Sequence, residues 1–267
     1  MKVGKKDGGI RVMQRYFVPS GQIGESSLTL LGEDARHLAT VMRARPGDEF
    51  VACDGSGYEL LAVAESIEPG RIEARIVERR LSQAEMAWQI TVAQSLPKGD
   101  KLETVIQKGT EAGAFAFRPF LSQRTIVQYD ERKEAKRLER WRKIAKEAAE
   151  QAHRGIVPDV ASVCTWKTLI GSLGEYDLTL LCYEEEGRRG AGLKPALADF
   201  RNGFAGGRAP RLLLLVGPEG GFAPQEAEQA KAAGAVPVGL GRRILRTETA
   251  ALVALACIAY ESGELGG

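Results

Sequence analysis

The pattern of apolar and polar positions changes rhythm once along the 267-residue chain. From Tyr16 to about Arg80 the runs are short and strand-like: YFVPS, SLTLL, DEFVACDG, YELLAVAESI and RIEARIVERR. Gly, Pro and Asp separate them, which predicts a small β-barrel or sandwich. DGSG over Asp54–Gly57 reads as a hairpin turn, because Gly and Asp tolerate the positive φ of tight turns. One helix interrupts the strands, EDARHLATVMR, with Ala35, Leu38, Val41 and Met42 at helical spacing. A boundary falls near Leu81 to Ala87, giving domains over 1–84 and 85–267.

From Trp88 onward strands alternate with helices, which predicts a parallel sheet covered on its faces. WQITVAQS and FAFRPFLS are strands on either side of a helix in LPKGDKLETVIQKGTEAG that Gly113 ends. A long charged helix follows over about 131–153. YDLTLLCY and LLLLV are continuously apolar and read as buried strands. PQEAEQAKAAG is a helix with Pro224 in its first turn and Gly234 at its end, VPVGL is a strand, and a helix runs from Thr247 to about Glu261. That helix is apolar almost all round through AALVALACIAY. It is expected to be buried on every side, as a core helix or as one shared with a second subunit.

Composition narrows the function classes. With 44% hydrophobic and 27% charged residues the chain is globular. Its longest apolar stretch, 250–260, is half of the roughly 20 residues a membrane-spanning helix needs. The basic start MKVGKKDGGIRV lacks the apolar run of a secretory signal. Cys53, Cys164, Cys182 and Cys257 are scattered without metal-ligand spacing, so no metal is expected and the cytoplasm is the expected compartment. A net charge of +2 excludes nucleic-acid binding by bulk charge, so any RNA site is local. Two stretches are locally basic: residues 1–15, and Arg124 to Arg154 with ten basic against six acidic residues.

Walker, GxGxxG, GxSxG and HExxH motifs are absent. His37 and His153 lie on predicted helices and read as packing or surface residues. What remains is two strand-to-helix joints. In LLLLVGPEGGF a buried strand ends in glycines that let a ligand approach the backbone, at the sheet edge where α/β folds bind ligands. In GLGRRILRTETAALVAL a strand reaches Gly239 and Gly241, followed by Arg242, Arg243 and Arg246; Thr247 is placed to cap a helix whose first turn holds Glu248. Glu248 there either serves chemistry or complements the helix dipole.

These segments, with LPKGDKLETVIQKGTEAG, RWRKIAKEAAEQAHR and MQRYFV, resemble the 16S rRNA (uracil(1498)-N(3))-methyltransferases, a family of the SPOUT class that uses S-adenosylmethionine. The resemblance runs nearly end to end. It implies a PUA-like β-barrel for RNA, followed by a knotted α/β methyltransferase domain with a parallel sheet that dimerises. On matching motifs it implies a cofactor pocket of Leu215, Gly217, Pro218, Gly220 and Gly221 on one side and Leu240, Gly241, Ile244, Leu245 and Arg246 on the other, with Tyr183 nearby. Gly109 and Ala112 depart from the family's usual Ala and Leu.

The reaction so implied aligns a sulfonium methyl with uracil N3, whose proton must leave. Arg246 is the candidate to hold the deprotonated base or a phosphate, Glu248 the candidate base, and Thr247 a residue that could orient it. Arg15, Arg43, Arg45, Lys98, Lys101, Arg124 and Arg154, with Lys133, are candidate RNA contacts. The expected partners are 16S rRNA in the small ribosomal subunit and a second copy of the chain. Two other readings stay open: a related methyltransferase acting on another nucleotide, and a non-catalytic ribosome-assembly factor.

Overall fold

The computed structural model describes residues 13–127, 130, 132, 134–185 and 192–266. The basic start and Lys133 lie outside the described residues. The chain divides into two compact units, Met1–Gln83 and Ala84–Gly267.

The first unit holds β1 (Arg15–Phe17), β2 (Ser27–Leu31), a short helix α1 (Gly32–Arg36), β3 (Glu49–Cys53), β4 (Tyr58–Glu68) and β5 (Arg71–Leu81). The strands form one curled sheet in the order β1-β3-β4-β5-β2, antiparallel except for β1 with β3. Register shifts at Leu61/Ala62 and Ala64/Ser66 give the long β4–β5 pair its bend. Among the described residues its edges, β1 and β2, are not paired with each other, so the curled sheet is a half-barrel. Alternation places Leu28, Leu30, Phe50, Leu60 and Ile72 in one core. The hairpin turn forms as predicted: Asp54 Oδ1 accepts from the Ser56 and Tyr58 N–H groups at 2.8 and 3.3 Å, and Gly55 and Gly57 have positive φ.

The predicted helix EDARHLATVMR is not one regular helix. After α1 the chain continues over His37–Val41 as a wider π turn, with Met42 N–H bonded to His37 O at 3.0 Å. The extra residue per turn rotates Val41 and Met42 out to solvent while Ala35 and Leu38 stay buried.

The described part of the second unit contains β6 (Gln89–Ser95), α2 (Lys101–Glu111), β7 (Ala116–Leu121), α3 (Glu134–Gln151), β8 (Asp159–Val160), β9 (Cys164–Thr165), α4 (Trp166–Gly171), β10 (Leu178–Cys182), α5 (Leu193–Gly203), β11 (Arg211–Val216), α6 (Pro224–Ala232), β12 (Val236–Val238) and α7 (Thr247–Glu261). The sheet order is β12-β10-β11-β6-β7-β8, with β9 also on β7, and every pairing is parallel. Helices cover both faces. Leu212 and Leu214 of β11 enter one core with α2 and α7, while Leu213 and Leu215 enter the other with Phe120, Phe222 and α6. This two-sided burial is why LLLLV shows no alternation. Gly109, in α2, makes room for Phe117: a Cβ there would sit 2.9 Å from the ring.

Helix α7 packs on β6 and β11 at the centre of the sheet, although β12, which precedes it, is an edge strand. Within one chain it is buried along one side. Ala251, Ala254, Leu255 and Ile258 face the core, whereas Leu252, Val253 and Ala256 are half-buried and Cys257 and Tyr260 exposed. Among the described residues no helix is long and apolar enough to cross a membrane.

Candidate functional site

Because every strand of the second unit points the same way, the loops that leave their carboxyl ends gather at one edge. These loops carry Leu96–Lys101 after β6, Ser122–Thr125 after β7, Tyr183 after β10, Gly217–Gly221 after β11 and Gly239–Arg246 after β12.

The two predicted joints touch directly. Thr247 Oγ1 donates to Gly217 O at 2.6 Å, and Gln94 Nε2 donates to Thr247 Oγ1 at 2.8 Å while lying 3.3 Å from Gly217 O. Gln94 and Thr247 are buried, and Gln94 Oε1 has no hydrogen-bond partner among the described residues. Thr247 therefore does not serve as expected. Its hydroxyl is committed to Gly217, so it neither caps α7 nor orients Glu248; the N-cap residue is Arg246, without a side-chain cap. Glu248 lies in the first helical turn, where the dipole favours a carboxylate, and its Oε2 is buried without a partner among the described residues.

A polar lattice fixes the surrounding loops. Ser95 Oγ lies 2.8 Å from Ser122 Oγ and 3.1 Å from Thr125 Oγ1, tying the ends of β6 and β7. Glu226, 4% exposed, accepts from Gln123 N–H at 2.7 Å and from Ala223 N–H at 2.9 Å, so one carboxylate joins the β7 loop to the start of α6. Arg124 Nη1 donates to Gly220 O at 2.8 Å. Glu219 Oε1 accepts from Lys101 Nζ at 2.7 Å and Lys98 N–H at 3.0 Å. Burial raises the Glu219 carboxyl, but these donors outweigh it and hold the group below its usual value. Burial and the adjacent Glu185 push the Tyr183 phenol upward against Lys231 and Arg124. Phe222 stacks on Phe120 at 6.3 Å and meets Trp166 at 5.6 Å, anchoring the far end of the glycine loop.

The glycines serve different ends. A Cβ on Gly217 would sit 3.2 Å from the Phe222 N and Cδ2 atoms, so that glycine permits the loop to close on itself. Gly221 and Gly241 have positive φ, with nothing within 4 Å of an added Cβ. Glycine-marked loops with buried, unpartnered acceptors at Gln94 and Glu248 suit an adenosyl amino-acid cofactor that brings its own donors.

Of the other predicted cofactor contacts, Pro218 is buried, Tyr183, Leu240 and Leu245 are half-buried, and Gly220, Ile244 and Arg246 are exposed. The Leu215 side chain is in the core, so its backbone alone could meet a ligand. Tyr183 N–H bonds to Val238 O at 3.0 Å, which sets it beside the Gly239–Gly241 turn.

The candidate RNA contacts sort unevenly. Lys98 and Arg124 are exposed at the carboxyl edge, and Lys101 there is paired with Glu219. Arg43 and Arg45 are exposed on the first unit. Two expectations fail on burial. Arg15 is enclosed, bonded to Glu59 Oε1 at 2.7 Å and Cys53 Sγ at 3.3 Å. Arg154 is 2% exposed, bridges to Glu85 at 2.5 Å and donates to Thr110 O and Ala114 O near the start of β7, at the opposite edge of the sheet. Neither guanidinium can reach a phosphate. Gln94, the Ser95–Ser122–Thr125 cluster and Glu226 were missed. The signal available was polar residues closing apolar strands, AQS and FLSQRT.

Comparisons with known proteins agree on one family. An RNA methyltransferase domain matches residues 84–259 and an RNA methyltransferase PUA domain matches residues 30–77. Ribosomal RNA small subunit methyltransferase E of Bacillus subtilis is 38% identical over 260 residues, 96% of this chain and 99% of that protein. The protein of that name from Mycobacterium bovis is 37% identical over 85% of this chain and 84% of its own. A crystal structure of ribosomal RNA small subunit methyltransferase E from Neisseria gonorrhoeae bound to S-adenosyl methionine superposes with a TM-score of 0.79 at 32% identity, covering 93% of this chain and 97% of that one.

Proposed function

The chain belongs to the RNA methyltransferase family that includes ribosomal RNA small subunit methyltransferase E, and from that premise we propose that it methylates N3 of a single uridine in 16S rRNA. It is an S-adenosylmethionine-dependent rRNA methyltransferase. The residues that would hold the cofactor are the backbone of Gly217–Gly221 and the Leu240–Arg246 segment. The cofactor supplies an electrophilic methyl on a cationic sulfur.

The chain's own task is to present uracil N3 without its proton. Glu248 carries this reading: a carboxylate in the first turn of α7 with one oxygen buried and unpartnered, beside the joint between the two loops. It takes the N3 proton, directly or through water. Arg246, exposed and always cationic, holds the resulting anion or an adjacent phosphate. The target base must be extruded or single-stranded to enter. Arg43, Arg45, Lys98 and Arg124 supply phosphate contacts from exposed positions. The open apolar face of α7 supports a homodimer, which would cover Leu252, Val253, Ala256 and Tyr260. Action on ribosomal RNA supports a cytoplasmic location in this reading.

The test is single-turnover methyl transfer from labelled S-adenosylmethionine to small subunits from cells lacking the activity, followed by nucleoside analysis. The expected product is 3-methyluridine at one site. Glu248→Gln should slow transfer by roughly 10²–10⁴-fold with cofactor affinity nearly unchanged. A methyl on another atom overturns the N3 assignment; full activity of the variant removes Glu248 as base.

A further inference from the structure

We propose that Gln94 is a positioning residue for methyl transfer, setting the spacing between the glycine loop and the helix that carries Arg246 and Glu248. This rests on the methyltransferase reading of the same site.

Gln94 is 1% exposed and sits one residue from the end of β6. The orientation of its amide follows from the groups around it. Thr247 Oγ1 donates its one proton to Gly217 O at 2.6 Å and so must accept from Gln94; the other neighbours, Ser95 O at 3.0 Å and Gly217 O at 3.3 Å, are carbonyls. Three acceptors face one NH2 group, and the amide oxygen points away from all of them. Gly217 opens the GPEGG loop, and Thr247 stands between Arg246 and Glu248. One side chain therefore joins segments 123 and 153 positions away along the chain. It sets the distance between the loop that would hold the methyl donor and the residues that would hold the acceptor base.

A second observation separates this from simple packing. Gln94 Oε1 is buried with no partner among the described residues. Buried polar atoms are rarely left so, and an apolar residue of equal length would avoid the cost. The node includes an acceptor that the fold itself does not use, on a side chain bonded to both walls of the site. That is the property of a residue kept for the ligand-bound state.

The experiment compares Gln94→Met, which keeps length and removes the hydrogen bonds, with Thr247→Val and the double variant. Cofactor dissociation constants come from calorimetry and single-turnover rates from saturating cofactor. Gln94→Met should weaken cofactor binding about tenfold and lower the saturated rate by about tenfold to a hundredfold. The double variant should be scarcely worse than the worse single one, since both break one node. A lowered melting temperature with dissociation constant and saturated rate within twofold of the unaltered enzyme would overturn the proposal, as would strictly additive losses. Amide hydrogen exchange on the unaltered chain gives a readout that needs no variant. Residues 217–221 and 247–250 should gain protection together when S-adenosylmethionine binds, and protection of one segment alone would also overturn it. If the unaltered chain bound no S-adenosylmethionine, the methyltransferase reading itself would fail.

Discussion

Replacing Glu226 by Gln removes one charge and almost no volume, at a carboxylate that joins two loops of the site. Its oxygens accept from the N–H groups of Gln123 and Ala223 at 2.7 and 2.9 Å. An amide keeps only one acceptor. It will turn that oxygen to Ala223, which is buried, and set its NH2 against the Gln123 N–H, which can move toward water. The losses are one charge-assisted hydrogen bond, about 1.5–3 kcal/mol, with part of an orphaned donor's cost offset by hydration, so a net destabilisation of about 2–3 kcal/mol follows. Against a total of about 5–15 kcal/mol that is a large fraction. Urea unfolding followed by tryptophan fluorescence reads it cleanly, because Trp88, Trp141 and Trp166 all lie in the second unit. Gln123 precedes Arg124, which holds Gly220 O, so cofactor affinity should fall as well. A loss below about 0.5 kcal/mol with an unchanged slope would refute the role of the carboxylate.

Gly217→Ala places a Cβ 3.2 Å from the Phe222 backbone nitrogen, which cannot yield as a side-chain tip would. It should cost about 1–3 kcal/mol, and calorimetry should find cofactor binding lost at temperatures where the variant is folded; retained affinity would show that the loop tolerates opening. Glu59 bears on acid stability. Burial raises its carboxyl, but hydrogen bonds from Arg15, Ser82 and Arg80 outweigh this and hold it below the ordinary value. Its contribution is therefore complete above the unfolded value, about pH 4.3, and is lost as pH falls through the lower folded value. Glu59→Gln should flatten the acid limb of stability in that window, followed by circular dichroism; an unchanged slope would exclude this carboxylate.

Period carried the architecture. The alternating runs gave the strands of the first unit, and the unbroken LLLLV gave a strand buried on both faces, because each pattern has one geometric solution. The π turn at His37–Val41 was hidden, since Leu38, Val41 and Met42 fit a regular helix equally well and only the added residue turns two of them outward. The two glycine joints were legible as a site because glycine and charge at the end of an apolar strand have few other uses. The contact between them was not, because the Gln94–Thr247 bond joins positions 153 apart and no local pattern encodes it. Charge misled where burial decides. Arg15 and Arg154 look like phosphate contacts in a sequence, and each is held inside by one carboxylate, Glu59 or Glu85.

The Gln94–Gly217–Thr247 node also has a history in time. During synthesis, at roughly 5–20 residues per second, on the order of 8–30 s separate the appearance of Gln94 from that of its hydroxyl partner. Through that interval the amide has Ser95 O beside it and, later, Gly217 O, but lacks the hydroxyl that closes the node. The walls of the site can therefore be joined only once the first turn of α7, which carries Thr247 and Glu248, has emerged.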